Sequence, residues 1–174
     1  MTTLIKNVKL IDGSGKREKF FADIVIKGDR IALIDSSRKQ DSSSAEFDLV
    51  IDGSGLYASP GFIDTHAHSD IMVFDDPCLL PKSLQGITCE FAGQDGTAVA
   101  PLPEEHVESW RKYLSGIDGD SNNFNWHFRT LKNYREAVRR AQPAVNLCIM
   151  VPHGNLRLCA MGYDPAAPSP EKLS

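Results

Sequence analysis

Alternating apolar and polar residues in the first part of the chain predict short β-strands. Three segments show this period-two pattern: residues 3–11 (TLIKNVKLI), 22–27 (ADIVIK) and 30–34 (RIALI). Gly28 and Asp29 form a tight-turn dipeptide that suits a hairpin between the last two segments. Residues 1–59 are therefore expected to form a small antiparallel sheet, with an exposed loop over the polar stretch 40–48.

After residue 60 the pattern changes to apolar runs that alternate with helical spacing. The apolar runs are GFID at 61–64, ITCEF at 87–91 and VNLCIMV at 145–151. The helical segments are LLPKSLQ at 79–85, PEEHVESWRKYL at 103–114 and TLKNYREAVRRA at 130–141. Gly86 is placed to stop the first helix and Thr130 to cap the last. The run at 145–151 predicts a strand covered on both faces. This alternation is typical of a parallel α/β sheet or barrel, whose ligand sites gather at the carboxyl ends of the strands.

Charge and composition exclude several classes of function. The chain has 19 lysine and arginine residues against 23 aspartate and glutamate residues, a balance that predicts no binding to nucleic acid or to an anionic membrane. No apolar stretch reaches the about 20 residues of a membrane span, and the first residues lack the apolar centre of a signal peptide. We expect a cytoplasmic protein that acts on a small molecule.

The four cysteines are scattered along the chain and contain no Cys-x-x-Cys pair. Cys89 and Cys148 lie within apolar runs, which favours burial. Reduced thiols in a core are therefore predicted, rather than a disulfide framework.

The stretch PGFIDTHAHSD at 60–70 contains the strongest candidate for a functional site. Residues i and i+2 of a strand project to the same side, so His66 and His68 would face one side and Ala67 the other. Two imidazoles in this arrangement suit one metal ion, and Asp64 could orient one of them or ligate directly. Two ligands do not complete a zinc site, and a hydrogen-bonded pair of structural histidines is the alternative.

A Pro-Gly turn, an apolar strand and HAH, placed between an antiparallel segment and a series of β/α units, resemble the amidohydrolase superfamily of metal-dependent hydrolases. GITCEFAGQDGTAVAP at 86–101 and NLCIMVPHGNLR at 146–157 resemble the second- and third-strand regions of its D-aminoacylase, or N-acyl-D-amino-acid deacylase, family. The resemblance implies an α/β fold. Residues 1–59 would belong to a small β-sandwich, and residues 60–174 would supply strands 1 to 3 of a truncated (β/α)8 barrel.

The resemblance also implies a metal site. The family has HxH ligands after the first barrel strand and a glycine-flanked cysteine ligand after the second, where this chain has Asp95 in GQDG. The implied ligands are therefore His66, His68 and Asp95, holding zinc as one or two divalent ions. A carboxylate is a harder ligand than a thiolate, so other divalent metals are expected to bind as well. A plain turn at Asp95 is the alternative, with Glu90 as the other candidate carboxylate.

Two residues that follow the third predicted strand are candidates for substrate binding. Arg157 could hold the carboxylate of an N-acyl amino acid in a bidentate pair, and His153 lies in the same PHGNLR loop. An arginine that binds backbone carbonyls of its own loop is the alternative for Arg157.

The function implied by the resemblance is metal-dependent removal of the acyl group from an N-acyl-(D-)amino acid. One alternative is hydrolysis of cyclic amides or imides, as in dihydroorotases and hydantoinases. Another is a non-catalytic fragment with structural histidines. In the superfamily the remaining ligands and the general base follow later barrel strands, which would lie beyond Ser174.

The last residues of the chain have the pattern of a helix start, with Ser169 as cap, Pro170 in the first position and Glu171 in the first turn. We therefore expect the rest of the barrel to lie in the same or another chain. Because the later ligands and the general base would be missing, the 174-residue chain alone is predicted to be inactive. A partial sheet also exposes an edge and an apolar face, so this chain is expected to be unstable or to associate, with a homo-oligomer as one outcome.

Overall fold

A computed structural model describes residues 1–37 and 47–173, which divide into two compact units, Met1–Pro60 and Gly61–Ser174. Most of the predicted loop at 40–48 lies outside the described residues. Among the residues described, no helix has the length and apolar character needed to cross a membrane.

The first unit contains a five-stranded sheet. Its strands are β1 (Thr2–Leu10), β2 (Phe20–Lys27), β3 (Arg30–Asp35), β4 (Leu49–Asp52) and β5 (Tyr57–Ala58). Their order is β3-β2-β1-β4, and β5 also pairs with β1. The β1-β2 and β2-β3 pairs are antiparallel as predicted, with a tight turn at Gly28 and Asp29.

Two strands of this sheet differ from the sequence prediction. Both β4 and β5 run parallel to β1, so the expectation of a wholly antiparallel sheet is wrong. Because β2 is antiparallel to both β1 and β3, β3 and β4 run in the same direction as β1. Strands that run in the same direction cannot be joined by a two-residue turn and need a connection of about a dozen residues or more. The segment 36–48 between β3 and β4 supplies that length.

The second unit contains a three-stranded parallel sheet with helices in its connections. Its strands are β6 (Phe62–Asp64), β7 (Ile87–Ala92) and β8 (Asn146–Ile149), in the order β6-β7-β8. Its helices are α1 (Met72–Asp75), α2 (Leu80–Ser83), α3 (Val107–Leu114), α4 (Leu131–Ala141) and α5 (His153–Met161), with 3₁₀ turns at Gln94–Gly96, Glu104–His106 and Pro170–Lys172. The predicted alternation of parallel strands and helices is confirmed, and the chain is a mixed α/β protein.

The apolar faces of α3 and α4 build the core of the second unit. Leu114 of α3 and Tyr134 of α4 are fully buried in it. Thr130 caps α4 as predicted, because its Oγ1 accepts a hydrogen bond from the backbone N–H of Asn133 at 3.1 Å. The helix therefore begins where its apolar periodicity begins, and its buried face supports the loops beside it.

Several expectations about β8 and the residues after it are wrong. Asn146 and Cys148 are exposed, because they alternate with Leu147 and Ile149, which pack against the core. β8 is thus covered on one face. All four cysteines are free as predicted, but Cys148 is exposed and Cys89 is only partly buried, so the expectation of buried thiols is wrong for Cys148 and holds only in part for Cys89. The PHGNLR segment at 152–157, expected to be a loop, forms most of α5.

Candidate metal centre

The parallel sheet brings together the two loops that carry the candidate ligands. His66 and His68 follow directly after the end of β6, and Asp95 lies in the 3₁₀ turn after β7. Because β6 and β7 are neighbouring parallel strands, their carboxyl ends lie side by side. Side chains that are distant in sequence therefore meet at one edge of the sheet.

The histidine pair lies just after β6 rather than within it. Ala67, between the histidines, is buried, and its N–H donates a hydrogen bond to the carbonyl of Phe91 in β7 at 3.1 Å. The N–H of His66 donates to Asp64 Oδ1, also at 3.1 Å. This anchored backbone presents the two imidazoles together, with their ring centroids 5.4 Å apart.

Positive φ angles shape the turn that presents Asp95. Gly93, Asp95 and Gly96 have φ values of 78°, 57° and 77°. Glycine adopts this conformation freely, and aspartate is one of the few other residues that tolerate it. The side chain of the buried Gln94 donates a hydrogen bond to the carbonyl of Thr65 at 2.8 Å. The Asp95 turn is thereby tied to the histidine loop.

The three candidate ligand atoms lie close together. Asp95 Oδ2 is 3.4 Å from His66 Nε2 and 3.3 Å from His68 Nε2. One possible ligand atom from each of the three residues lies within 4.8 Å of the other two. With metal–ligand bonds of about 2.0–2.2 Å, two ligands of a tetrahedral zinc ion are about 3.3–3.6 Å apart. The donor set and its spacing therefore fit a divalent metal ion. His66 and Asp95 are exposed, so the grouping is open on one side.

A buried carboxylate contacts the other ring nitrogen of His68. Asp118 Oδ1 lies 3.0 Å from His68 Nδ1, and the Asp118 side chain is only 1% exposed. Burial raises the pKa of Asp118, and the charge and hydrogen bond of His68 lower it in part. Sequence reasoning missed Asp118, because it follows α3 in a segment without a recognisable motif.

Asp64 and Glu90 contact a lysine rather than an imidazole ring. Lys82 Nζ pairs with Asp64 Oδ2 and lies 3.5 Å from Glu90 Oε2. The hydrogen bond from Lys82 is the main reason that the pKa of Asp64 is lowered. Glu90 is fully buried and also accepts a hydrogen bond from Ser69 at 3.2 Å. Among the described residues it is Asp95, and not Glu90, that groups with the histidines.

Asp70 is another buried carboxylate that sequence reasoning missed. Its Oδ2 accepts a hydrogen bond from the N–H of Gly93 at 3.3 Å, and its carbonyl accepts one from Tyr134 Oη at 2.9 Å. Burial, and then the charge of Asp118, raises the pKa of Asp70 to about 7. Asp70 thus connects the two ligand loops with α4. Its position in HAHSD, two residues after the second histidine, is the sequence feature that could have drawn attention to it.

Arg157 lies in the second turn of α5 and binds backbone carbonyls. Its Nη2 donates hydrogen bonds to the carbonyls of Asp164 and Ala166 at 2.5 and 2.8 Å. This is the alternative that the sequence left open for Arg157. Contact between this guanidinium and a substrate carboxylate stays a prediction.

His153 is exposed at the first position of α5, beside the Asp95 turn. The helix approaches the turn closely, since a Cβ added to Gly154 would lie 2.7 Å from the carbonyl oxygen of Gly96. His153 is therefore near the candidate ligands, and its contact with a substrate stays a prediction as well.

The two histidines and the carboxylate lie in a part of the chain that matches a protein family. Residues 49–172 match the Amidohydrolase family. The chain belongs to this family. The matched region includes the histidine loop, the Asp95 turn and α5, so all the candidate site residues lie within it.

Curated relatives of this chain include two deacylases from Alcaligenes xylosoxydans xylosoxydans. N-acyl-D-glutamate deacylase is 38% identical over 158 residues, which are 91% of this chain and 30% of that protein. D-aminoacylase is 34% identical over 98% of this chain and 33% of that protein. A dihydroorotase from Bacillus licheniformis is 41% identical, but over only 59% of this chain and 22% of that protein.

Solved structures of deacylases resemble this chain over nearly its whole length. N-acyl-D-glutamate deacylase from Bordetella bronchiseptica, complexed with zinc and a phosphonate inhibitor, gives a TM-score of 0.79 at 31% identity over 98% of this chain and 33% of that chain. D-aminoacylase, in a study of its binuclear metal centre, gives 0.81 at 30% identity over 98% and 34%. This chain therefore spans about a third of the length of the deacylases that it matches.

Proposed function

We propose that this chain supplies the metal-binding part of a hydrolase that removes the acyl group from N-acyl-D-amino acids. The observation that carries the proposal is the spacing of His66 Nε2, His68 Nε2 and Asp95 Oδ2, which fits one divalent ion. The two deacylase relatives cover 91% and 98% of the chain, whereas the dihydroorotase covers 59%. Cyclic amide hydrolysis is therefore not favoured.

The residues of this chain would hold and orient the metal. A bound divalent ion polarises a scissile carbonyl and lowers the pKa of a coordinated water to about 7. His66, His68 and Asp95 would provide three donor atoms, and the exposed side of the grouping leaves room for a substrate. The remaining ligands and the general base are proposed to follow Ser174, as the family resemblance implies.

Asp95 in place of a cysteine is proposed to broaden the choice of metal. Carboxylate oxygen suits manganese and other hard ions better than thiolate sulfur does, while still binding zinc. The relatives solved with zinc and with a binuclear metal centre support one or two divalent ions in this site.

We further propose that residues 1–59 belong to a small β-sandwich and residues 60–174 to the first three strands of a (β/α)8 barrel. The five-stranded mixed sheet of the first unit supports the former. The parallel order β6-β7-β8, with ligands after two of its strands, supports the latter. In this architecture His153, at the start of α5, is the better candidate for substrate contact, because Arg157 already binds two carbonyls.

Metal analysis of the intact protein tests the ligand set. The double variant His66→Ala/His68→Ala, and separately Asp95→Ala, should lose bound metal after dialysis, as measured by inductively coupled plasma mass spectrometry. His127→Ala is the matched control, since His127 contacts the exposed Glu104 at 3.0 Å and is not part of the grouping. Equal metal content in wild type and the three variants would contradict the ligand assignment.

A substrate panel tests the reaction. The intact protein should hydrolyse N-acetyl-D-amino acids faster than their L enantiomers and faster than hydantoins. A preference for hydantoins would replace deacylation by cyclic amide hydrolysis. An intact protein that turns over neither class, and whose metal content is unchanged by the His66→Ala/His68→Ala variant, would favour a structural role for the histidines.

A further inference from the structure

The contact between Asp118 and His68 joins a buried residue to an open site. Asp118 is 1% exposed in its side chain, whereas Asp95, on the other side of the same imidazole, is 57% exposed. His68 is thus held between the two carboxylates, with Nδ1 3.0 Å from Asp118 and Nε2 3.3 Å from Asp95.

The two ring nitrogens of a neutral imidazole have different roles, because one carries the proton and the other a lone pair. Of the two carboxylates, only Asp118 makes a hydrogen bond to the ring, through Oδ1 and Nδ1 at 3.0 Å, whereas Asp95 Oδ2 is near Nε2 at 3.3 Å without hydrogen-bond geometry. An ionised carboxylate only accepts hydrogen bonds, so the hydrogen bond to Asp118 places the proton on His68 Nδ1. The lone pair is then on Nε2, the nitrogen that faces the candidate ligands. We propose that Asp118 is a positioning residue that fixes the Nδ1–H tautomer and the ring orientation of His68 for metal binding.

The backbone around Asp118 is suited to this role. The N–H groups of Ile117 and Asp118 donate to the carbonyl of Leu114 at 2.8 and 2.9 Å, which closes the turn after α3. Leu114 is fully buried in the core of the second unit. The carboxylate is therefore carried by an anchored turn rather than by a free loop, and a fixed acceptor can hold a ring in one orientation.

The second oxygen of Asp118 is more isolated than the first. Oδ2 is buried and, within the described part of the chain, has no hydrogen-bond partner. A buried carboxylate oxygen without a partner is costly, and the hydrogen bond between Oδ1 and His68 is the described interaction that offsets this burial. The role of this buried carboxylate is therefore inferred from its hydrogen bond with His68.

A surface pair provides a matched control. His127 Nδ1 lies 3.0 Å from Glu104 Oε1, so it makes the same type of contact as His68 with Asp118. His127 and Glu104 are both exposed and are not part of the ligand grouping. Replacing Glu104 therefore removes a comparable His–carboxylate contact away from the site.

The test compares Asp118→Ala, Asp118→Asn and Glu104→Gln in the intact protein, with circular dichroism and thermal unfolding as checks on folding. The first measurement is zinc affinity by chelator competition. Asp118→Ala should weaken binding by about 10- to 100-fold, as expected for loss of a carboxylate that orients a ligating histidine. Asp118→Asn keeps the side-chain volume and one acceptor oxygen, so it should lose less. Glu104→Gln should leave the affinity unchanged.

The second measurement is the His68 tautomer in metal-free protein, by NMR with ¹⁵N-labelled histidine at a pH where the ring is neutral. Wild type should show His68 as Nδ1–H, and Asp118→Ala should show a mixture. An Nε2–H tautomer in wild type, or unchanged zinc affinity in folded Asp118→Ala and Asp118→Asn, would overturn the proposal.

This inference rests on the proposed metal site, and the two measurements separate their failures. If wild-type protein binds no zinc, the proposed function fails, and a positioning role toward metal fails with it even where the tautomer is Nδ1–H. If wild type binds zinc and the Asp118 variants bind it equally well, the metal site stands and only the role of Asp118 is lost.

Discussion

At the scale of single residues, the site depends on how each ligand is supported. His66 is fixed through its backbone, by the hydrogen bond from its N–H to Asp64. His68 is fixed through its ring, by Asp118. Asp95 is fixed by a left-handed backbone conformation that few residues other than glycine, asparagine and aspartate tolerate. Each support is a different kind of interaction, so each predicts a different effect of substitution.

Restoring the cysteine of the family at position 95 should change metal preference. Thiolate is softer than carboxylate, so Asp95→Cys should raise the affinity for zinc relative to manganese by about tenfold or more. Competition titrations of the intact protein with both metals measure the ratio. Asp95→Asn is the control that keeps the side-chain shape and removes the charge, and it should weaken both metals. An unchanged ratio in Asp95→Cys would mean that residue 95 is not a ligand.

Tyr134 should contribute to stability through one hydroxyl group. Its Oη donates to the carbonyl of Asp70 at 2.9 Å, and both residues are buried. Tyr134→Phe leaves that carbonyl without its donor and should lower the free energy of unfolding by about 1–3 kcal/mol in urea titrations. Tyr113→Phe removes the hydroxyl of an exposed tyrosine and should change it by less than about 0.5 kcal/mol. Similar effects of the two changes would contradict this account.

At the scale of elements, periodicity predicted most strands and helices of this chain. The hairpins, β7, α3 and α4 follow local patterns, and the Thr130 cap is a local signal as well. The direction of β4 and β5 could not be predicted, because it depends on which strand they pair with rather than on their own residues. The same reason determines which site residues could be predicted. HxH is a local motif and was recognised, whereas Asp118 contacts His68 across 50 residues of chain and was not.

The packing of α5 against the Asp95 turn should matter for metal binding. A Cβ on Gly154 would lie 2.7 Å from the carbonyl oxygen of Gly96, so Gly154→Ala must displace either the helix or the turn. Alanine favours helix over glycine, but this clash should outweigh that gain and weaken zinc binding by about tenfold. Gly116→Ala is the control, since its Cβ would meet no atom within 4 Å. Unchanged affinity in Gly154→Ala would show that the turn tolerates displacement.

At the scale of the whole molecule, the deacylase relatives are much longer than this chain, and this difference predicts the activity of the 174-residue chain. This chain spans about a third of the deacylases that it matches, and it groups three candidate ligands. Purified 174-residue chain is therefore predicted to show no turnover of N-acetyl-D-amino acids, even with zinc added. A discontinuous amine-release assay measures this, with the intact protein as positive control. Turnover by the verified 174-residue chain would refute the proposal that further catalytic groups are needed.

The sheet of the second unit should also control the association of the 174-residue chain. Ile63 in β6 is 61% exposed, and β6 and β8 are the two outer strands of that sheet in the described part of the chain. Exposed apolar residues on an unpaired strand edge favour pairing with another copy. Sedimentation velocity should therefore show oligomers that increase with concentration, and Ile63→Ser should reduce them.

Ile31 in the first unit tests whether association depends on the sheet of the second unit in particular. It is 64% exposed, so Ile31→Ser removes as much exposed apolar side chain as Ile63→Ser, but from β3. Because β3 is the outer strand of the first sheet, equal reduction by both changes would mean that association is not specific to the second unit. If only Ile63→Ser reduces it, association of the 174-residue chain depends on β6, the outer strand beside the candidate metal ligands. In the proposed barrel, the free edge of β6 would pair with the last strand, whereas the next strand would join β8.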